Sequence, residues 1–72
     1  MKFALRQPED LGRAITEFRA WRGLTQAELA ARVEFHRTYL SNMEQGVVPE
    51  YVRRYFALVR ALGLTMTVSD GE

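Results

Sequence analysis

Between Gly23 and Gly46 the sequence marks two short helices so closely spaced that only a tight turn fits between them. Thr25 followed three residues later by Glu28 is a capping box, in which hydroxyl and carboxylate each satisfy the other residue's backbone N–H, so a helix is expected to begin at Gln26. Its apolar face, Ala27, Leu29, Ala30 and Val33, lasts barely two turns. A second helix is expected over about Arg37 to Gln45, with Tyr39, Leu40 and Met43 inward and Gly46 ending it. The turn between them, Glu34-Phe35-His36, contains no glycine. A left-handed residue there costs of order 1 kcal/mol, and Phe35 is expected to bury between the helices and offset part of that strain.

The face that this second helix leaves free carries Arg37, Thr38, Ser41, Asn42 and Gln45. Most polar helix faces are simply solvated. This one holds a single charge and lacks the long Lys and Glu side chains usual at a solvent face. Arg pairs with guanine edges, Asn with adenine, and Ser or Thr with either edge or the thymine methyl. Two short helices, a tight turn and such a face together describe a helix-turn-helix, whose second helix can enter the DNA major groove. Arg37, Thr38, Ser41 and Asn42 are then the candidate base contacts. Helix ends suit phosphate, which makes Thr25 and Gln26, His36 in the turn and Gln45 the candidate phosphate contacts. Each also has an ordinary reading as a cap or end residue.

The remaining chain packs behind this pair. Gln7-Pro8-Glu9-Asp10 suits a helix start, with Pro in the first turn and two carboxylates at the positive end of the dipole. Leu11, Ala14, Ile15, Phe18 and Arg22 continue at helical spacing to Gly23. Another helix is expected from Tyr51 or Val52 to Leu62, with Val52, Tyr55, Phe56, Val59 and Leu62 as its stripe. Arg53, Arg54 and Arg60 read as a solvated face, and Trp21 and Tyr51 as core or interface aromatics. Leu64 to Ser69 alternates apolar and polar, the pattern of one strand. A lone strand leaves backbone groups unpaired, so it must find Lys2–Arg6, which permits a strand or an extended tail, or its own copy in a second subunit. The expected architecture is mainly α: one domain over 1–72, a helical core of four to five helices over 8–63 and a strand over 64–69.

Composition narrows the function. Ten basic and nine acidic residues give a net charge of +1, which permits a nucleic-acid partner without arguing for one. No run approaches the ~18 apolar residues of a membrane span. With no cysteine and no signal-like start, a cytoplasmic protein is expected. His36 has no cysteine or second histidine to form a metal site, no serine stands in a nucleophile elbow, and the glycines form no phosphate-binding loop. Neither an enzyme nor a cofactor is indicated.

Leu24-Thr25-Gln26-Ala27-Glu28-Leu29-Ala30-Ala31-Arg32 and Tyr39-Leu40-Ser41-Asn42-Met43-Glu44-Gln45-Gly46 resemble the phage-repressor (Cro or XRE-type) helix-turn-helix family over about Leu11 to Gly63. The tail Arg60 to Asp70 is similar to the end of HipB-type antitoxins. The resemblance implies that Gln26 touches phosphate, that Arg37, Thr38, Ser41 and Asn42 face bases, and that Arg19 and Glu44 form a largely buried ion pair. It also implies that the strand carrying Leu64, Met66 and Val68 pairs across a dimer two-fold. The chain departs from the family pattern at Glu34, where Gly is common, and at His36, where Ser or Thr is. The implied function is a homodimeric repressor at an inverted-repeat operator in double-stranded DNA, the antitoxin of a HipA-like kinase toxin, repressing its own promoter. A repressor without a toxin partner is the alternative within DNA binding. An interaction module that neutralises a partner protein without reading DNA is the alternative from another class.

Overall fold

A computed structural model describes residues 1–71. The order is β1 (Lys2–Leu5), α1 (Glu9–Trp21), α2 (Gln26–Val33), α3 (Arg37–Glu44), α4 (Glu50–Ala61) and β2 (Met66–Ser69). Four helices form, and β1 resolves as a strand. It pairs antiparallel with β2 in the register Lys2↔Ser69 to Leu5↔Met66. Of the two partners the alternation allowed, Lys2–Arg6 is the one β2 takes within the chain, and its other edge stays open. Phe3 and Leu5 share a sheet face with Met66 and Val68, and that face closes over Ala14 of α1 and Phe56 of α4. Met66 and Val68, expected at a dimer interface, are half-buried in the chain's own core, whereas Leu64 precedes the strand and is exposed.

Asp10 fixes the junction between sheet and helix. Its carboxylate accepts from the backbone N–H of Arg6 at 2.7 Å and of Gln7 at 3.1 Å and from the Arg13 guanidinium, and it is almost wholly buried. Those two N–H groups would otherwise be unpaired ahead of the helix. At the far end of the sheet the N-terminal amine donates to Asp70 Oδ1 at 2.8 Å.

α1 meets α3 at Gly12. A Cβ there would overlap the Met43 carbonyl oxygen and lie 2.9 Å from that of Glu44, so only glycine lets the two backbones come this close. Just past the end of α3, Gly46 takes a left-handed φ of 90° and faces the Glu9 side chain.

Two expected core faces are rotated. In α3 the buried residues are Leu40 and Glu44, with Met43 half-buried, and Tyr39 is exposed. Leu40 and Glu44 are spaced i, i+4, so turning Glu44 inward swings the buried arc away from Tyr39. In α4 the inward line is Val52, Phe56 and Val59, while Tyr55 and Leu62 face out. Ala27 on α2 is exposed too.

The glycine-free turn keeps its left-handed residue. Glu34 sits at φ 59°, ψ 35° and its N–H donates to Ala31. Phe35 is only half-covered and makes an edge-to-face contact with Tyr39 at 5.5 Å, not the full burial expected.

Gly12→Ala is expected to destabilise the fold by about 1–3 kcal/mol, because backbone atoms cannot yield to the added methyl as a side chain would. Urea unfolding checks it, and an unchanged midpoint would show that α1 and α3 can part freely. Glu34→Gly is expected to relieve roughly 1 kcal/mol of left-handed strain. The melting temperature should then rise by about 4 °C; a fall would mean the Glu34 side chain holds the turn.

Candidate nucleic-acid interface

α2 begins where its capping box places it. The Glu28 N–H donates to Thr25 Oγ1 at 3.1 Å and the Thr25 N–H donates to Glu28 Oε1 at 2.8 Å. α3 begins at His36, whose Nδ1 accepts from the Thr38 N–H at 3.3 Å. The imidazole thus does the work of a Ser or Thr cap, satisfying one of the free N–H groups of the first turn.

One carboxylate holds the two helices to α1. Arg19 Nε donates to Glu44 Oε2 at 2.7 Å and Arg19 Nη2 to Glu44 Oε1 at 3.0 Å, a two-pronged pair. Glu44 Oε1 also accepts from Thr16 Oγ1 at 3.1 Å and from Gln26 Nε2 at 3.0 Å. Arg19 Nη1 reaches on to the Leu24 carbonyl at 2.8 Å. The Glu44 side chain is 4% exposed and that of Arg19 16%, so the pair is shielded but fully hydrogen-bonded. The Arg19 guanidinium, helped by Gln26 and Thr16, holds the Glu44 carboxyl below the usual glutamate range against the opposing effect of burial.

With Leu40 and Glu44 fixed inward, the outer face of α3 follows. Arg37, Thr38, Asn42 and Gln45 are exposed there, and Ser41 is half-buried, accepting from Gln45 Nε2 at 3.3 Å. Gln26, a candidate phosphate contact, commits its amide nitrogen to Glu44. Thr25 and His36 use an acceptor atom in their caps. Sequence reasoning missed Tyr39, which stands 56% exposed beside this face. The signal was Glu44: a buried acid at i+5 from Tyr39 lies on the opposite side of the helix.

A groove of about 580 Å³ runs beside the face between Pro8, Leu11 and Ile15, Met43, and Val48 and Val52, with Tyr39 and Asn42 on its rim. Among the described residues no group of acidic, His or Cys side chains could hold a metal ion, and no helix is long and apolar enough to cross a membrane.

Two short helices joined by a tight turn, the second with an exposed row of Arg, Thr, Asn and Gln flanking a half-buried Ser, define a DNA-binding helix-turn-helix domain. Residues 10–68 match the helix-turn-helix domain family, and the chain belongs to it. No curated protein and no solved structure matches the chain.

Glu44→Ala leaves Arg19 shielded and unpaired and is expected to cost about 3 kcal/mol, the lower end for a buried pair because Arg19 keeps some solvent. The native pair also makes stability pH-dependent. Because the folded pKa of Glu44 is depressed, its contribution is complete above the unfolded value and is lost as pH falls through the folded one. Urea unfolding across the acidic range should show a shallower decline for Glu44→Gln than for the native chain; parallel curves would mean the carboxylate is not held by Arg19.

Proposed function

We propose that this chain is a sequence-specific transcriptional repressor that binds an inverted-repeat operator as a homodimer. The observation that carries this reading is the outer face of α3, where Arg37, Thr38 and Asn42 stand exposed on a helix whose orientation is set by the Glu44 network. Arg37 is suited to guanine, Asn42 to adenine, and Thr38 and Ser41 to either edge or a thymine methyl. Thr25, Gln26, His36 and Gln45 border that face and are assigned to phosphate, fixing register. Gln26 donates its amide nitrogen to Glu44 Oε1, so contact with phosphate, itself an acceptor, requires that nitrogen to be shared or released. Two copies would place two α3 helices in successive major grooves ~34 Å apart.

The similarity of the tail to HipB-type antitoxins supports a finer reading, in which the repressor silences its own promoter and neutralises a HipA-like kinase toxin. A kinase-like reading frame beside this one is expected. Its absence would leave a phage-type or housekeeping repressor.

Titration of a duplex selected from a random pool, at several salt concentrations, tests DNA reading. The chosen site should bind at least ~10³-fold tighter than random DNA, and binding should weaken steeply with salt. No preference and no salt dependence would leave only an interaction module. Asn42→Ala is expected to weaken binding to that site by about 1–3 kcal/mol with the fold intact. Unchanged affinity would remove Asn42 from the base-reading set.

A further inference from the structure

α4 is the least covered helix of the fold. Of its twelve residues only Phe56 is buried, and a single ion pair, Arg53 to Glu9 at 2.7 Å, links its charged side to α1. Its outer side carries Tyr51, Tyr55, Leu58 and Leu62, spaced i, i+4, i+7 and i+11, the repeat of a helix–helix seam. These four and the adjoining Leu64 are 56–71% exposed.

We infer that this stripe is the homodimer interface and that its occupant is the α4 helix of a second copy, crossing antiparallel about a two-fold axis. The inference rests on the dimeric reading above and replaces the strand with the helix as its seat. Area is the first argument. Given ~150–250 Å² for each aromatic, the five side chains expose on the order of 700 Å². That exceeds the ~300–600 Å² of the largest patch on a typical monomer and approaches the ~800 Å² each partner gives to a stable interface.

Self-complementarity is the second. In an antiparallel pair the Tyr51 end of one helix meets the Leu62 end of the other, and Tyr55 meets Leu58, so each tyrosine lies against a leucine. No charge lies on the seam. The flanking Arg54 is already paired with Glu50 of its own helix at 3.7 Å, and the neighbouring Ala57 and Ala61 are small enough to let the helices approach. Tyr51 and Tyr55 are held edge-to-face at 5.3 Å, which lowers the ordering cost of docking. A groove of about 490 Å³ between β2 and α4 meets the stripe at Leu64; its floor is Phe56, Val59 and Met66, with Arg6 and Arg60 also lining it, so it can take the apolar or acidic side chains of a second copy.

The competing seat is the open edge of β2. Asp70 N–H donates to the Met1 carbonyl, so by alternation the N–H groups of Thr67 and Ser69 point away from β1. Thr67→Pro blocks that edge and spares the ladder to β1.

Sedimentation equilibrium of the full chain decides between them. Leu58→Glu should raise the dimer dissociation constant at least ~100-fold, since the two-fold counts the change twice. Thr67→Pro should leave it unchanged. The Leu58→Glu monomer should still bind a single half-site, which separates loss of the dimer from failure of the DNA reading. The chain has no cysteine, so Leu58→Cys with a short bis-maleimide gives a second readout that does not depend on a charged substitution folding. It should yield covalent dimer, and Glu17→Cys on the exposed side of α1 should not. A native chain that stays monomeric at millimolar concentration, dimer loss in Thr67→Pro alone, or equal cross-linking of the two cysteines would overturn the inference.

Discussion

The Glu44 carboxylate is the constraint on which the rest of the structure depends. It accepts from α1 through Thr16 and Arg19 and from the start of α2 through Gln26, while belonging to the last turn of α3. A buried charge this well satisfied adds little to net stability, since desolvation offsets most of the attraction. What it fixes is orientation. Three helices are tied to one pair of oxygen atoms, and α3 cannot roll about its axis without breaking a charge-assisted bond. The close approach of Gly12 to the carbonyls of Met43 and Glu44 sets the separation that the carboxylate bonds require. Together they decide which side chains of α3 face solvent.

That dependence explains what was legible in the sequence. The limits of α2 and α3 could be read because their signals are local: the Thr25 and Glu28 box, and Gly46 at the end. The alternation of β2 was local as well. Its partner was not, because Lys2–Arg6 is too short to specify pairing before Leu5, Ala14 and Phe56 gather beneath it. The roll of α3 was misread at Tyr39 since counting apolar residues ignores a buried acid. Gly12 carried a signal that went unused: a glycine inside a helix costs ~1 kcal/mol against alanine and usually marks a close approach. Asp10 was read as a dipole partner, yet its larger role, accepting from Arg6 and Gln7, arises only once β1 turns into α1. Of the candidate site, the exposed Arg37, Thr38 and Asn42 were legible; the commitment of Gln26 to Glu44 was not.

The fold divides its work unevenly. α1, α2 and α3 are tied by hydrogen bonds that fix a surface, whereas α4 rests on one buried ring and leaves an apolar stripe in water. A chain of this length has little core to spare, so area left exposed on α4 is stability that a partner can supply. In the proposed dimer the same association that completes the core also sets the distance between the two α3 helices, so folding, pairing and operator geometry are coupled.

The central claim is that α3 presents its outer face to DNA. A two-dimensional ¹⁵N NMR titration of the chain with its selected duplex tests this most directly. The account predicts the largest shifts at Arg37, Thr38, Ser41 and Asn42, with smaller ones at Thr25, Gln26 and Gln45. Shifts confined to α4 and the sheet, with α3 unmoved, would contradict it.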